Sequence, residues 1–224
     1  MKSFGEWRRE EAEKLREMSW KKRLEYLFVY YKGWVVGFLI LLLFLGYAVD
    51  MVLQGQKETV LQGFITNDIH NAFPAGEIAG DFSAWLDLGR NQRVSLDDDL
   101  YIDLNGEATD YTAASNGKII AYMAVRDLDF VIASGEVLQH FTGDVPMCDL
   151  SQLLPEDLYQ RLAPAIVDAP DQNGVPVPSA IELSASRFLR DRADVPEGSY
   201  YLFVPHSVPR QEMVCEFIRY CFEE

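Results

Sequence analysis

An unbroken apolar run near the N-terminus, GWVVGFLILLLFLGYAV, constrains this chain more than any other feature. No charged residue occurs from Gly33 to Val49. As a helix, residues 33–53 would extend about 31 Å, close to the thickness of the hydrocarbon core of a bilayer. Only helices and closed barrels satisfy their backbone groups inside lipid. The run is therefore predicted to be a single transmembrane helix.

The charges on the two sides of this run are unequal. Residues 1–32 contain nine Lys or Arg and six Glu, whereas residues 33–224 contain eleven Lys or Arg and 29 Asp or Glu. Positive flanks stay in the cytoplasm. We therefore expect a cytoplasmic juxtamembrane helix over residues 1–32, an anchor over 33–53, and an extracellular domain over 54–224 at the cell membrane.

A cleaved signal peptide is the alternative to a retained anchor. Gly46 and Ala48 are small residues two apart, as signal peptidase prefers. However, the apolar run is longer than a usual signal peptide core, and the charged lead before it is far longer than a usual n-region. These lengths favour the retained anchor, although the sequence leaves cleavage near Ala48 open.

The strongly acidic balance of residues 33–224 bears on their partners. Nucleic acid is disfavoured, because its phosphates require basic patches. Solubility of an exported domain is the simplest explanation of the acidity. About 170 residues suffice for one compact domain with its own core.

After residue 57 the pattern alternates between strand and helix. Strands are predicted over 59–67, 100–104 and 128–134, and helices within 68–89, 111–125 and 135–141. This alternation predicts an α/β fold with a mainly parallel sheet built from βαβ units. The second half is predicted to contain a helix over 155–162, two strands around a turn at 171–174, a strand over 199–207 and a last helix from Pro209 to about Phe222.

Four segments carry a resemblance to known proteins: ETVLQGFITN (58–67), RDLDFVIASGEVLQHF (126–141), CDLSQLLPEDL (148–158) and YYLFVPHS (200–207) with the helix after it. In the order of their predicted elements and in their residue pattern, they resemble exported solute-binding proteins of the type II periplasmic-binding-protein class. They also resemble short anchored membrane proteins of Gram-positive bacteria that carry such a domain. The resemblance covers about residues 58–222. It implies a periplasmic-binding-protein-like fold with an abbreviated second lobe and a ligand cleft beyond the strand ends, near helix N-termini. It carries over no individual ligand residue.

The three cysteines lie in the predicted outer part. Cys215 and Cys221 differ in direction by about 240° on a straight helix, so they cannot pair with each other. Cys148 could pair with one of them, or all three could be buried free thiols.

Neither a metal site nor a catalytic site is predicted. The acidic stretch 95–110 departs from the EF-hand pattern, because Tyr101 and Thr112 occupy its first and last ligand positions, and it is interpreted as a solvated acidic loop around a strand. His70, His140 and His206 share no metal-ligand spacing. Nucleophile-elbow, dinucleotide-binding and phosphate-loop motifs are absent from the sequence. No cofactor and no enzymatic activity are expected.

Polar residues at strand-to-helix junctions are the only motivated ligand-binding candidates: Asn67, Asp68, Thr112, Ser115 and Ser134. Helix capping is the alternative role for each of them. The sequence thus predicts a single-pass membrane protein displaying a solute-binding-like module for ligand binding or sensing, with the bilayer, a small solute and a membrane protein as candidate partners. A non-catalytic accessory subunit of a membrane complex is the alternative.

Overall fold

One long helix, α1 (Trp20–Gly55), carries the apolar run without a break. Its 18-residue stretch Val35–Val52 is long and apolar enough to cross a membrane. Side chains along it are largely uncovered, with Phe38 60% and Leu43 75% exposed. A membrane anchor and a signal sequence both meet these criteria. The helix also extends N-terminally through Lys32, so the span and the basic segment before it form one continuous helix.

The computed structural model describes residues 19–55, 57–104, 106, 109–170 and 175–223, in two compact units divided after Gln56. The first eighteen residues, and with them most of the predicted juxtamembrane helix, lie outside the described residues. The predicted turn at 171–174 also lies outside them.

The second unit is built on one six-stranded sheet. Its strands are β1 (Glu58–Thr66), β2 (Gln92–Leu100), β3 (Phe130–Ala133), β4 (Ile166–Pro170), β5 (Pro176–Glu182) and β6 (Tyr201–Phe203), in the spatial order β2-β1-β3-β6-β5-β4. The helices are α2 (Ala75–Trp85), α3 (Asp110–Ala124), α4 (Gly135–Asp144), α5 (Leu150–Leu153), α6 (Glu156–Leu162) and α7 (Gln211–Phe222), with a 3₁₀ turn at Ala163–Ala165.

The α/β class is confirmed, but the prediction of a mainly parallel sheet is wrong. Strand β1 pairs in parallel with β2 and with β3. In contrast, β3 with β6, β6 with β5, and β5 with β4 are antiparallel pairs. The βαβ pattern stops after β3, because β4 and β5 follow each other along the chain as an antiparallel pair, which needs no crossover helix.

One element prediction in the first half is also wrong. The strand expected at residues 100–104 lies earlier, at β2, where three successive aspartates concealed it because Asp is depleted in strands. Strand β2 is a sheet edge, where charged side chains are tolerated and discourage pairing with other chains. The helix expected within residues 68–89 is present as α2, which begins at Ala75 after the Phe-Pro of FPAGE, and residues 67–74 form a loop.

The core lies on both faces of the sheet. Along β3, Phe130 and Ile132 point to one face, whereas Val131 and Ala133 point to the other, as the period of two in a strand requires. Helices α2 and α7 cover the first face, and α3 and α4 cover the second. At Gly63 a Cβ atom would lie 2.2 Å from the Phe130 ring, so only glycine fits beside it.

Candidate functional site

A cleft of about 740 Å³ lies on the face covered by α3 and α4, beyond the carboxyl end of β2. The segment after β2 lines it through Ile102, Asp103 and Leu104. The first two turns of α3 and α4 provide most of the remaining wall, chiefly Thr112, Asn116, Gly117, Glu136, Gln139 and His140. Its volume is in the range that accommodates small organic ligands.

The position of the cleft follows from the topology of the parallel strands. Strand β1 lies between β2 and β3, and the chain leaves β1 towards α2 on one face but leaves β3 towards α4 on the other. Connections that part in this way open a crevice outside the carboxyl ends of the strands, where ligands of open α/β sheets bind. The cleft lies beside this point.

Asn67, the first predicted site residue, supports the wall of the cleft without lining it. Its side chain makes two hydrogen bonds of 2.7 Å with the backbone of Ile102, accepting from the N–H and donating to the carbonyl oxygen. Asn67 adopts φ 56°, a conformation that asparagine tolerates better than most residues. The amide therefore clamps the cleft segment onto the end of β1.

Asp68 organises the loop after β1. Its carboxylate accepts hydrogen bonds from the N–H groups of Ala72 at 2.9 Å and Phe73 at 2.7 Å. The buried hydroxyl of Tyr200 donates to the same carboxylate at 3.0 Å. Burial and this carboxylate together raise the pKa of Tyr200 to about 12. Asp68 therefore holds loop and core together and does not line the cleft.

Thr112 is the one predicted residue that lines the cleft, and it also caps α3. Thr109 and Thr112 form a reciprocal capping box, in which each side chain accepts from the backbone N–H of the other at 3.2 and 3.0 Å. Thr112 lies at the cleft through its position in the first turn of α3.

Ser115 and Ser134 make structural hydrogen bonds. The hydroxyl of Ser115 accepts from the N–H of Tyr101 at 3.3 Å. The hydroxyl of Ser134 accepts from the N–H of Val137 at 3.5 Å and caps α4. Asn67 and Ser115 thus converge on the two residues that directly follow β2, so both position the cleft.

Four cleft residues were missed from the sequence: Asn116, Glu136, Gln139 and His140. These four side chains lie within helices, whereas the predicted candidates were chosen at strand-to-helix junctions. A helical spacing was the available signal, because Thr112, Asn116 and Ile120 are four apart and place two polar side chains and one apolar side chain on one face of α3. The Oδ1 atom of Asn116 is buried and has no hydrogen-bond partner among the described residues.

The acidic residues of β2 have partners, which corrects their interpretation as a solvated loop. Asp98 accepts from the N–H of Ala75 at 2.8 Å, at the start of α2. Asp97 forms an ion pair with Lys118 of α3. The acidic strand therefore anchors helices on both faces of the sheet.

The sheet also holds a buried ion pair at the amino end of β3. Asp129 is fully buried and accepts from the Gln62 N–H at 2.7 Å, from the Arg210 N–H at 3.2 Å and from the Arg210 guanidinium at 2.7 Å. Burial raises the pKa of Asp129, although these bonds act to lower it. The cleft lies beyond the carboxyl end of β2, whereas Asp129 lies at the amino end of β3. Because these strands are parallel, the two sites are at opposite ends of them, and we interpret the ion pair as structural.

The thiols do not offer a nucleophile. All three cysteines are free, and burial raises the pKa of Cys148, Cys215 and Cys221. A nucleophilic cysteine needs a lowered pKa. Within the described ranges, no group of three or more His, Cys, Asp or Glu side chains could hold a metal ion.

Comparison with known proteins found no matching family model, no similar curated protein and no similar solved structure. The cleft is therefore interpreted from its own geometry.

Proposed function

We propose that this chain is a single-pass membrane protein whose α/β domain binds a small solute outside the cell, as a binding or sensing module. Helix α1 serves as the anchor, with the N-terminus in the cytoplasm. The domain works as a reduced counterpart of a type II periplasmic-binding domain, and it performs no catalysis and needs no cofactor.

The observation that carries this proposal is the cleft beside the point where the connections of β1 and β3 part. Asn67, directly after β1, and Ser115, on α3, fix its wall by bonds to the backbone of consecutive residues. A wall that is fixed before binding lowers the entropic cost of ordering the site when a ligand binds. The charge asymmetry around residues 33–53 supports the orientation.

Ligand binding can be tested by filling the cleft. Gly117 lines it, and a Cβ atom there meets nothing within 4 Å. Gly80, on α2, is equally uncrowded but lies outside the cleft. We expect a broad library of amino acids, sugars, peptides and amines to contain compounds that raise the melting temperature of the full chain in detergent. Gly117→Phe should abolish that response, whereas Gly80→Phe should preserve it.

A library without a stabilising compound, or equal responses in both variants, would contradict the proposal. The orientation has its own test. A tag after the last residue should be removed by external protease on intact cells, and protection of the tag would refute an outward-facing domain.

A non-catalytic accessory subunit of a membrane complex is the second candidate. It is favoured by the engagement of Asn67, Asp68, Ser115 and Ser134 in structural hydrogen bonds. Exposed apolar side chains on the domain, such as Ile69 and Val125 at 78% and 72% exposed, would then contact the partner. Co-purification of one defined membrane protein, lost on Val125→Asp, would support this alternative.

A further inference from the structure

We infer that the cleft takes a small organic cation bearing a primary ammonium group. This inference rests on the ligand-binding role proposed above and names the chemical class of its ligand.

The charge of the cleft walls excludes an anion. Residues 101–117 and 135–144, which supply all of the described lining except Ile120, contain five Asp or Glu and no Lys or Arg. Asp103 and Glu136 line the cleft themselves. The nearest lysine in sequence, Lys118, is paired with Asp97 on β2. A concave surface with charges of one sign concentrates ligands of the opposite sign.

The helix ends do not reverse this balance. The N-termini of α3 and α4 carry roughly +0.5 charge each. However, Asp110 and Glu136 occupy their first turns, and Thr109 and Ser134 cap them. Together with Asp103, these two carboxylates outweigh the partial positive charges of the helix ends, so the local charge stays negative. The capping side chains also occupy N–H groups that an anion would require.

The other lining groups select the kind of cation. No Phe, Tyr or Trp ring occurs among the described lining residues, whereas quaternary ammonium groups are bound by cages of such rings. Oxygen acceptors are present instead, on Thr112, Gln139 and Asn116, and a primary ammonium has three N–H donors. No donor among the described residues reaches the Asn116 oxygen, so turning its amide towards the cleft would let a bound ammonium satisfy it.

The size and the apolar part of the cleft indicate an organic ligand. A volume of about 740 Å³ greatly exceeds that of a bare ion. Ile102, Leu104 and Ile120 provide apolar contacts for a carbon skeleton.

Three probes with the same four-carbon chain test the inference: putrescine, 1,4-butanediol and succinate. Each is titrated calorimetrically into the full chain in non-ionic detergent at near-physiological salt, where the Debye length of about 8 Å screens distant charges. Putrescine should bind about tenfold or more tightly than the other two, as charge-assisted hydrogen bonds predict. Choline, a quaternary ammonium, should bind less tightly than putrescine.

Variants connect the binding to the cleft. Glu136→Gln should weaken putrescine binding by about tenfold, the effect of losing one charge-assisted contact. Glu77→Gln is the matched control, because Glu77 is also an exposed glutamate in the first turn of a helix but lies outside the cleft. It should leave the affinity within about twofold of the parent chain, since distant exposed charges are screened.

Each other outcome overturns the inference. Equal weakening by the two variants would show diffuse attraction to an acidic surface, and equal binding of choline would remove the preference for a primary ammonium. Tighter binding of butanediol or succinate, lost in Gly117→Phe, would refute the cation while leaving the proposed ligand-binding function in place. If none of these probes binds, the ammonium class is wrong, and the broad library then decides separately whether the cleft binds any solute.

Discussion

Replacing Arg210 by methionine should destabilise the domain severely, because it leaves a buried carboxylate without its cationic partner. Asp129 is fully buried, and its 2.7 Å bond to the Arg210 guanidinium is its only described contact with a cation. Removing one partner of a buried ion pair costs about 3–5 kcal/mol. That is a large share of the roughly 5–15 kcal/mol that stabilises a typical domain.

The comparison variant is Arg219→Met, which removes an exposed ion pair. Asp157, its partner at 3.1 Å, has a side chain that is 68% exposed. Exposed pairs contribute about 0–1 kcal/mol. All three cysteines lie in the domain, and Cys221 is fully buried, so pulse labelling of thiols against urea reports domain unfolding in the full chain without a signal from the anchor.

A second substitution separates charge from packing. Adding Asp129→Asn to Arg210→Met removes the charge and keeps an acceptor oxygen for one of the two backbone N–H groups, which bind different carboxylate oxygens. It should recover about 1–3 kcal/mol. The deficit of Arg210→Met should also shrink as the pH falls, because losing the guanidinium that acts to lower the pKa of Asp129 lets the folded variant take up a proton more readily than the parent does. A loss no larger than that of Arg219→Met, or no recovery in the double variant, would refute the reasoning.

Three further predictions concern stability and can be measured by the same labelling. Gly63→Ala should cost about 1–3 kcal/mol, because the added methyl overpacks the core. Tyr200→Phe should cost about 1.5–3 kcal/mol, because it removes a hydrogen bond to the charged Asp68, and a cost near zero would contradict the organising role of that carboxylate. Arg192 lowers the pKa of Asp194 from 3.8 to about 2, so the pair stabilises the fold above about pH 4 and loses this contribution as the pH falls towards about 2; Asp194→Asn should flatten that part of the pH profile.

The buried strand β3 and its flanking helices were predictable because local signals agreed with the fold. Four consecutive apolar residues, Phe130 to Ala133, can only be covered on both faces. Ser134 then begins a helix as a cap. The observed elements differ from the predicted ones there by few residues.

Strand β2 was not predictable from local preference. Its three aspartates oppose strand formation, and pairing with β1 overrides them. Each then finds a partner that is remote in sequence, as Asp98 does at the N-terminus of α2, 23 residues away. The Asp129–Arg210 pair spans 81 residues, so no window on the sequence could connect the two.

The polar residues predicted at strand-to-helix junctions include one that lines the cleft, Thr112, but not the other polar groups that face it. A parallel strand delivers the chain to a helix whose first N–H groups need acceptors, and the polar residues at the junction meet that need. Thr109, Thr112 and Ser134 do so as caps, while Asn67 and Ser115 bond to the backbone after β2. Side chains one turn further along the helices are not needed as caps, because the N–H groups there bond within the helix. This explains why Asn116, Gln139 and His140 line the cleft. The candidate ligand residues thus lie one helical turn beyond the strand-to-helix junctions.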